Sequence, residues 1–340
     1  MRRVRATGKT KILARRALML KIKNQTESSN TGKQTVSQLC DSWLESHKIR
    51  VTPTTHQVYE SHVRLYIKPS LGKMRVADVD AVVVQTFLDH LAETGSLSKA
   101  NSARMRLRQI FSWAVRCGII ERSPAAESIP YKKRHQRLPG ATPEQIKAAR
   151  EAFQADAKSR RPGPRSGAAH LAFEIIVATG ARISEVCALK WEDVDLEGRA
   201  LTFVDAVILE EGHFGMRGHL KNYDPKRISY FGDDLARLLD EQNDKTGFVV
   251  KNRGGGAMSP WNLRRTLRRV QDAAGIPEAD QIAPHAIRRT VGTLVARSLG
   301  VEAAASQLGN SIVVAQRHYI EPEYKGPKGA PEALATLVGV

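Results

Sequence analysis

Cysteine is scarce in this 340-residue chain, which has only Cys40, Cys117 and Cys187, widely spaced. An odd number at such intervals makes neither a disulfide framework nor a zinc ligand set, and reads as reduced thiols packed in helical cores. No apolar run of about 18 residues or more occurs, which removes a transmembrane helix. The basic start of the chain lacks the uninterrupted apolar stretch of a secretory signal. HExxH, CxxC and paired-carboxylate patterns are missing, so nothing supports a metal centre. GxSxG is missing too, and the glycines of "RGGGAMSP" at 253–260 lack the GK[ST] of a phosphate-binding loop. Metalloprotease, serine hydrolase and P-loop chemistry drop out together.

Acidic residues are also short. Asp and Glu total 35 against 53 Lys and Arg, a net charge of +18. That surplus favours a polyanionic partner, nucleic acid before membrane. Its distribution is uneven: residues 1–33 hold ten basic residues against Glu27 alone, half the net charge in about a tenth of the length. Residues 1–34 therefore read as a basic arm and linker, either touching DNA or simply solvated.

Residues 35–128 carry the pattern of an all-α domain. Thr35 caps a helix with Val36, Leu39, Cys40, Trp43 and Leu44 at helical spacing, and Thr52–Pro53 opens a second. The apolar face of that second helix is Val58, Tyr59, Val63, Tyr66 and Ile67, and a third helix is expected over about 78–93. A fourth, 98–118, packs through Ala103, Leu107, Ile110, Phe111 and Ala114, with Lys99, Arg104 and Arg108 on its other face as DNA-facing candidates. Residues 129–141 include Lys132, Lys133 and Arg134 and read as a basic interdomain linker, suited to a clamp around a duplex. From 142 to 340 a larger mixed domain is expected. Its helices start at Thr142–Pro143, Ser166, Arg182 and Ser259–Pro260. Strands are expected at 200–209 and 227–231 with a glycine-containing hairpin between them, and three short helices over 284–320.

The residues left for chemistry lie in that larger domain. Arg182 follows a Thr-Gly break, with Glu185 one turn on; Lys221 sits at the edge of the strand pair. His285 and Arg288 form an H-x-x-R at a helix start, and Tyr319 follows "LGNSIVVAQRH". This set suits in-line attack on a phosphodiester. Arginines grip non-bridging oxygens and offset the charge of the transition state. A tyrosine attacking phosphorus stores the bond as a phosphotyrosine for later religation. A free phenol ionises only near pH 10, so a base such as His285 must assist, while Lys221 can protonate the departing 5′ oxygen. Neither metal nor ATP is required.

The segments "TGARISEVCALKWEDVD", "LKNYDPKRISYF", "PHAIRRT" and "LGNSIVVAQRHYI" occur in that order. Through them the carboxy-terminal two-thirds resembles the tyrosine recombinase family of the phage-integrase type, and the all-α segment 35–128 resembles that family's core-binding domain through a less specific pattern, so the resemblance runs from about residue 35 onward. The resemblance implies catalytic roles for Arg182, Lys221, His285 and Arg288, with Glu185 as companion acid and Tyr319 as nucleophile. Tyr319 stands nine residues after Asn310, a position where the family usually has His or Trp; Asn can donate a hydrogen bond there but cannot shuttle a proton. The implied fold is multidomain and mainly α, an all-α core-binding (SAM-like) domain plus a mixed α+β catalytic domain with a small antiparallel sheet.

The implied function is site-specific integration and excision of a phage or mobile element, through a 3′-phosphotyrosine and a Holliday junction and without a cofactor. The implied partners are double-stranded attachment sites and three further copies in a homotetramer, with the tail 321–340 docking in trans. A host DNA-bending factor and an excision directionality factor would assist, in the bacterial cytoplasm or nucleoid. Two alternatives from other classes are a catalytically silent DNA-binding regulator, which Asn310 encourages, and a nicking-resealing enzyme like a type IB topoisomerase.

Overall fold

The structure, a computed structural model, describes residues 34–132, 138–159, 166–210, 213–220 and 226–320. The basic arm, Lys133, Arg134, Lys221 and the tail 321–340 lie outside the described residues. Contacts divide the chain into two units, with the boundary between His135 and Gln136.

The first unit is helical. Helix α1 (Val36–Lys48) starts where the side chain of Thr35 accepts the amide of Gln38 and the Gln38 side chain accepts that of Thr35, a reciprocal cap. Helix α2 (Pro53–His62) runs into a π-helical turn, Val63–Ile67, and then into α3 (Lys68–Leu71). Pro69 explains the widened turn. It has no amide hydrogen and would crowd the carbonyl four residues back, so Lys68 donates five residues back to Val63 instead. Helices α4 (Ala81–Thr94) and α5 (Leu97–Arg116) complete the unit. Trp43, Ile67, Leu88, Leu107, Ile110 and Phe111 fill its core. Tyr59 stacks on Trp43, and the buried Arg106 guanidinium lies 3.9 Å above the Tyr59 ring.

The start of the expected linker is fastened to this unit. Asn101 and the backbone of Tyr131 exchange two hydrogen bonds of 2.8 and 3.0 Å, and the Tyr131 hydroxyl donates to Asp89. The chain resumes on the second unit, where the Thr290 hydroxyl donates to the Ala141 carbonyl at 2.7 Å.

In the second unit α6 (Pro143–Lys158) packs on α7 (Ser166–Thr179) through Phe153 and Phe173, and the Arg150–Glu174 pair joins them with two bonds of 2.7 and 2.9 Å. A short helix α8 (Ile183–Ala188) follows. The single long strand expected over 200–209 is instead two. Strand β2 (Ala200–Phe203) lies between β1 (Val194–Asp195) and β5 (Arg227–Tyr230), all antiparallel, while β3 (Val207–Glu210) pairs with β4 (His213–Met216) as a separate hairpin. Asp205 makes the break: its carboxylate accepts the amides of Ala206 and Gly218, turning the chain out of the first sheet. Helices α9 (Asp233–Asp240), α10 (Pro260–Ala273), α11 (Pro284–Leu299), α12 (Val301–Leu308) and α13 (Ile312–His318) close the unit.

Of the cysteines, Cys40 and Cys187 are buried as expected, but Cys117 is exposed. It falls at the C-cap of α5, past the last turn that packs.

Candidate active site

The site is assembled where three chain breaks meet. The first ends α7. Thr179 bonds back to the Ile175 carbonyl and accepts the Ala181 amide, and Gly180 adopts a left-handed φ of +66°. Only glycine fits there: a Cβ would lie 2.9 Å from Leu308 Cδ2 and 3.0 Å from Val291 Cγ1. The turn delivers Arg182 to the N-cap of α8. A guanidinium cannot accept the orphan amides, so the cap comes from the other side, with the Arg182 amide donating to Glu185 Oε2 at 2.9 Å. Arg182 Nη1 donates to Glu185 Oε1 at 2.7 Å, and Nη2 to Asn310 Oδ1 at 2.6 Å.

The second break ends α12. Gly309, with φ +58°, turns the chain, and the Asn310 amide closes on the Ala305 carbonyl. Three arginines converge on this turn. Arg182 Nη2 reaches the Gly309 carbonyl at 3.3 Å, Arg227 Nη1 reaches that of Leu308 at 3.4 Å, and Arg288 Nη2 also donates to Leu308. A Cβ on Gly309 would sit 2.9 Å from Arg227 Nη1. Gly309→Ala is thus expected to carry about 1–2 kcal/mol of left-handed backbone strain and to displace Arg227. Thermal unfolding should fall by roughly 2–8 °C; an unchanged melting point would mean the turn relaxes freely.

The third break is at Tyr319, the C-cap of α13. Its carbonyl accepts the Thr293 hydroxyl at 3.2 Å, and its ring lies 4.9 Å from the Arg288 guanidinium carbon. Gly292 makes room, since a Cβ there would lie 3.4 Å from Tyr319 Cβ and 2.8 Å from Leu308 Cδ1.

Arg182, Arg217, His285, Asn310, Ser311 and Tyr319 line a cleft of about 630 Å³. Arg288 lies behind the tyrosine ring, fully buried, with Nη1 on the Gly180 carbonyl at 2.6 Å. Burial, and then the charge of Arg182, push its pKa down to about 10, which leaves it a cation at neutral pH. Glu185 is 1% exposed, and burial pushes its carboxyl up. The charge and hydrogen bond of Arg227, with Arg182 behind them, outweigh that and hold it below the ordinary range. His285 is accessible on the cleft, yet the protein crowded around it, then the charges of Arg288, Arg264, Arg289 and Arg182, lower its pKa. Its imidazole is neutral at pH 7 and can accept a proton.

Sequence reasoning missed Arg227 and Arg217. Arg227 opens β5 with its side chain inward, 7% exposed, over the ring of its cross-strand partner Phe203. The strand alternates opposite to what its sequence suggests: in "RISY" Arg and Ser point in while Ile and Tyr point out. In the first unit Lys99 and Lys132 are exposed. Arg104 Nε donates to the Ser128 carbonyl at 2.7 Å and Arg108 to that of Ala126, so both also fasten the exit segment.

A helical unit, a mixed unit with a small antiparallel sheet, and a tyrosine sharing a cleft with arginine and histidine define the integrase class of DNA strand-exchange enzymes. The chain belongs to the phage integrase family, whose model matches residues 142–325, while the model of the phage integrase central domain matches 36–129. A tyrosine recombinase XerC-like protein of Caldanaerobacter subterraneus subsp. tengcongensis is 25% identical over 335 residues, covering 89% of this chain and 83% of that protein. In fold, the chain is similar to a fragment of the Tn1549 transposon integrase in complex with transposon right end DNA. Its TM-score is 0.72 at 18% identity, over 90% of this chain and 100% of that one. A lambda integrase tetramer bound to a Holliday junction gives a TM-score of 0.64 at 17% identity, over 94% of this chain and 91% of that one.

Proposed function

We propose that the protein is a site-specific recombinase of a phage or other mobile element, cutting and rejoining attachment-site DNA through Tyr319. One observation supports this above the rest: Tyr319, Arg182 and His285 line the same cleft. The phenolic oxygen attacks phosphorus and the P–O5′ bond breaks, leaving a 3′-phosphotyrosine and a free 5′ hydroxyl. A 5′ hydroxyl from the partner strand reverses the step and releases the tyrosine. His285 takes the phenolic proton. Arg182 faces the non-bridging oxygens, and Asn310, which lines the cleft beside it and accepts from its Nη2 at 2.6 Å, holds it there. Arg288 adds positive charge behind the nucleophile. Lys221, by its place in the family pattern, protonates the leaving 5′ oxygen.

Lys99, Arg104, Arg108, Lys132, Lys133 and Arg134 supply DNA contacts outside the cleft. The lambda integrase tetramer on a Holliday junction supports the same assembly here. The tail 321–340, with Leu334 and Leu337, then docks on a neighbouring subunit. Exposed Leu294, Leu299, Ile312 and Val313 support such an apolar seat on the second unit. A DNA-bending protein and a directionality factor complete the reaction in the cytoplasm or nucleoid. The XerC-like relative favours a second reading, a chromosomal recombinase of the same chemistry.

A nicked suicide duplex tests the proposal. Cleavage releases a short fragment that cannot rejoin, so protein–DNA adduct accumulates. Duplexes taken from the flanks of the gene should trap adduct if the element reading holds; adduct only with chromosomal sites would favour the second reading, and binding without adduct would favour a silent regulator. The pH profile carries its own sign. His285 must be neutral to act, and its pKa lies below the ordinary histidine value, so the acid limb of adduct formation is expected at lower pH than a free histidine gives. A limb at or above the ordinary value would remove His285 as the proton acceptor.

A further inference from the structure

Arg227 does not line the cleft, yet two of the elements that build it, α8 and the end of α12, meet on its guanidinium, which also lies against β2. Nη2 donates to Glu185 Oε2 at 2.8 Å, Nη1 donates to the Leu308 carbonyl, and the guanidinium lies over Phe203 with its carbon 4.6 Å from the ring centroid. Nε is buried with no partner among the described residues. Such a group is a poor choice for stability alone. Taking a guanidinium out of water is costly even when it is paired, and an apolar side chain on the inward face of β5 would pack against Phe203 without that penalty. What the arginine adds is geometry. Glu185 has one oxygen on Arg182 Nη1 and the other on both the Arg182 amide and Arg227, so the carboxylate cannot pivot while Arg227 is in place.

We propose that Arg227 is a positioning residue for strand cleavage: it locks Glu185 so that the Arg182 guanidinium faces the scissile phosphate, and it pins the Leu308–Gly309 turn from which Asn310 projects. This rests on Arg182 as the phosphate ligand of the recombinase reaction. Arg227 itself touches neither DNA nor the reacting atoms. It acts through Arg182 and Asn310.

The test uses the full chain on the nicked suicide duplex, once with a natural scissile phosphodiester and once with a methylphosphonate there. The methyl group replaces one non-bridging oxygen and removes the charge that Arg182 would neutralise. On the diester, Arg227→Gln is expected to slow adduct formation on the order of 10²-fold, with DNA affinity within about threefold because no phosphate contact is lost. On the methylphosphonate, the wild-type-to-variant ratio should shrink below about tenfold. Arg227→Lys keeps the charge with fewer directed donors, and should recover part of the diester rate. If Arg227→Gln does not fold, Arg227→Lys carries the same two-substrate comparison. An equal rate ratio on both substrates would make Arg227 merely structural, and an undiminished diester rate would also overturn the proposal. A wild-type protein that binds the duplex yet forms no adduct would instead overturn the recombinase reading, and this proposal with it.

Discussion

Tyr319→Phe is expected to abolish the covalent protein–DNA adduct while leaving fold and DNA affinity intact. The substitution removes one hydroxyl and keeps everything else the tyrosine does. The ring still covers the Arg288 guanidinium, 4.9 Å away, and the backbone carbonyl still accepts the Thr293 hydroxyl. Removing a nucleophile whose chemistry nothing else in the cleft replaces should cost on the order of 10⁴-fold or more in rate. Denaturing gels of the suicide-duplex reaction measure this directly. Melting temperature and duplex affinity, measured on the same sample, separate lost chemistry from lost structure. Tyr324 is the control. It lies outside the described residues, and Tyr324→Phe should leave the adduct intact. Adduct retained by Tyr319→Phe and lost by Tyr324→Phe would move the nucleophile five residues along the chain and detach it from the cleft described here.

Most helices were legible because their signals are local. Thr35, Thr52, Thr142 and Ser259 each cap a helix and each could be read as a cap from sequence. Apolar spacing likewise marked the faces of α1 and α5. The misses are places where apolar periodicity alone is silent. The π-helical turn at Val63–Ile67 arises because Pro69 forbids the ordinary hydrogen bond inside an otherwise unbroken apolar pattern. The split of 200–209 turns on Asp205 capping the amide of Gly218, thirteen residues away. Cys117 looks like a packed residue by periodicity, but its helix has already reached the rim of its unit.

The candidate site was legible by residue type and order, not by depth. Nothing in "PHAIRRT" distinguishes a His285 that stays accessible on the cleft from an Arg288 buried completely three residues later. That difference comes from Gly180 and Leu308, whose carbonyls lie 108 and 20 residues away and hold the Arg288 guanidinium. Arg227 was invisible for a related reason. A strand beginning "RISY" reads as apolar-in, and only burial by Phe203 and the charge of Glu185 turn its polar residues inward.

Glu185→Ala is expected to be the most destabilising single change in the site. Among the described residues, Glu185 is the only acid paired with Arg182 and Arg227, and Arg288 adds a third guanidinium on the same turn. Removing it leaves buried like charges facing each other without an anion, a situation that costs about 3–5 kcal/mol and should lower the melting temperature by roughly 6–20 °C. Glu185→Gln keeps the volume and one accepting oxygen, but turns an amide NH₂ toward a guanidinium donor, so it should fall between alanine and wild type. Pairing it with Arg227→Gln removes one of the stranded charges. The double variant should therefore lose less than the sum of the singles, by about 0.5–3 kcal/mol. The sign of the pH dependence follows from the depressed Glu185 pKa. A carboxyl held below its unfolded value contributes stability that is complete above that unfolded value and is lost as pH falls through the folded one. The stability gap between wild type and Glu185→Gln should thus be widest near neutral pH and close in acid, as urea melts at several pH values would record. A gap that persists unchanged in acid would mean that the glutamate is held by packing and hydrogen bonds alone, and that its charge does not organise the three arginines.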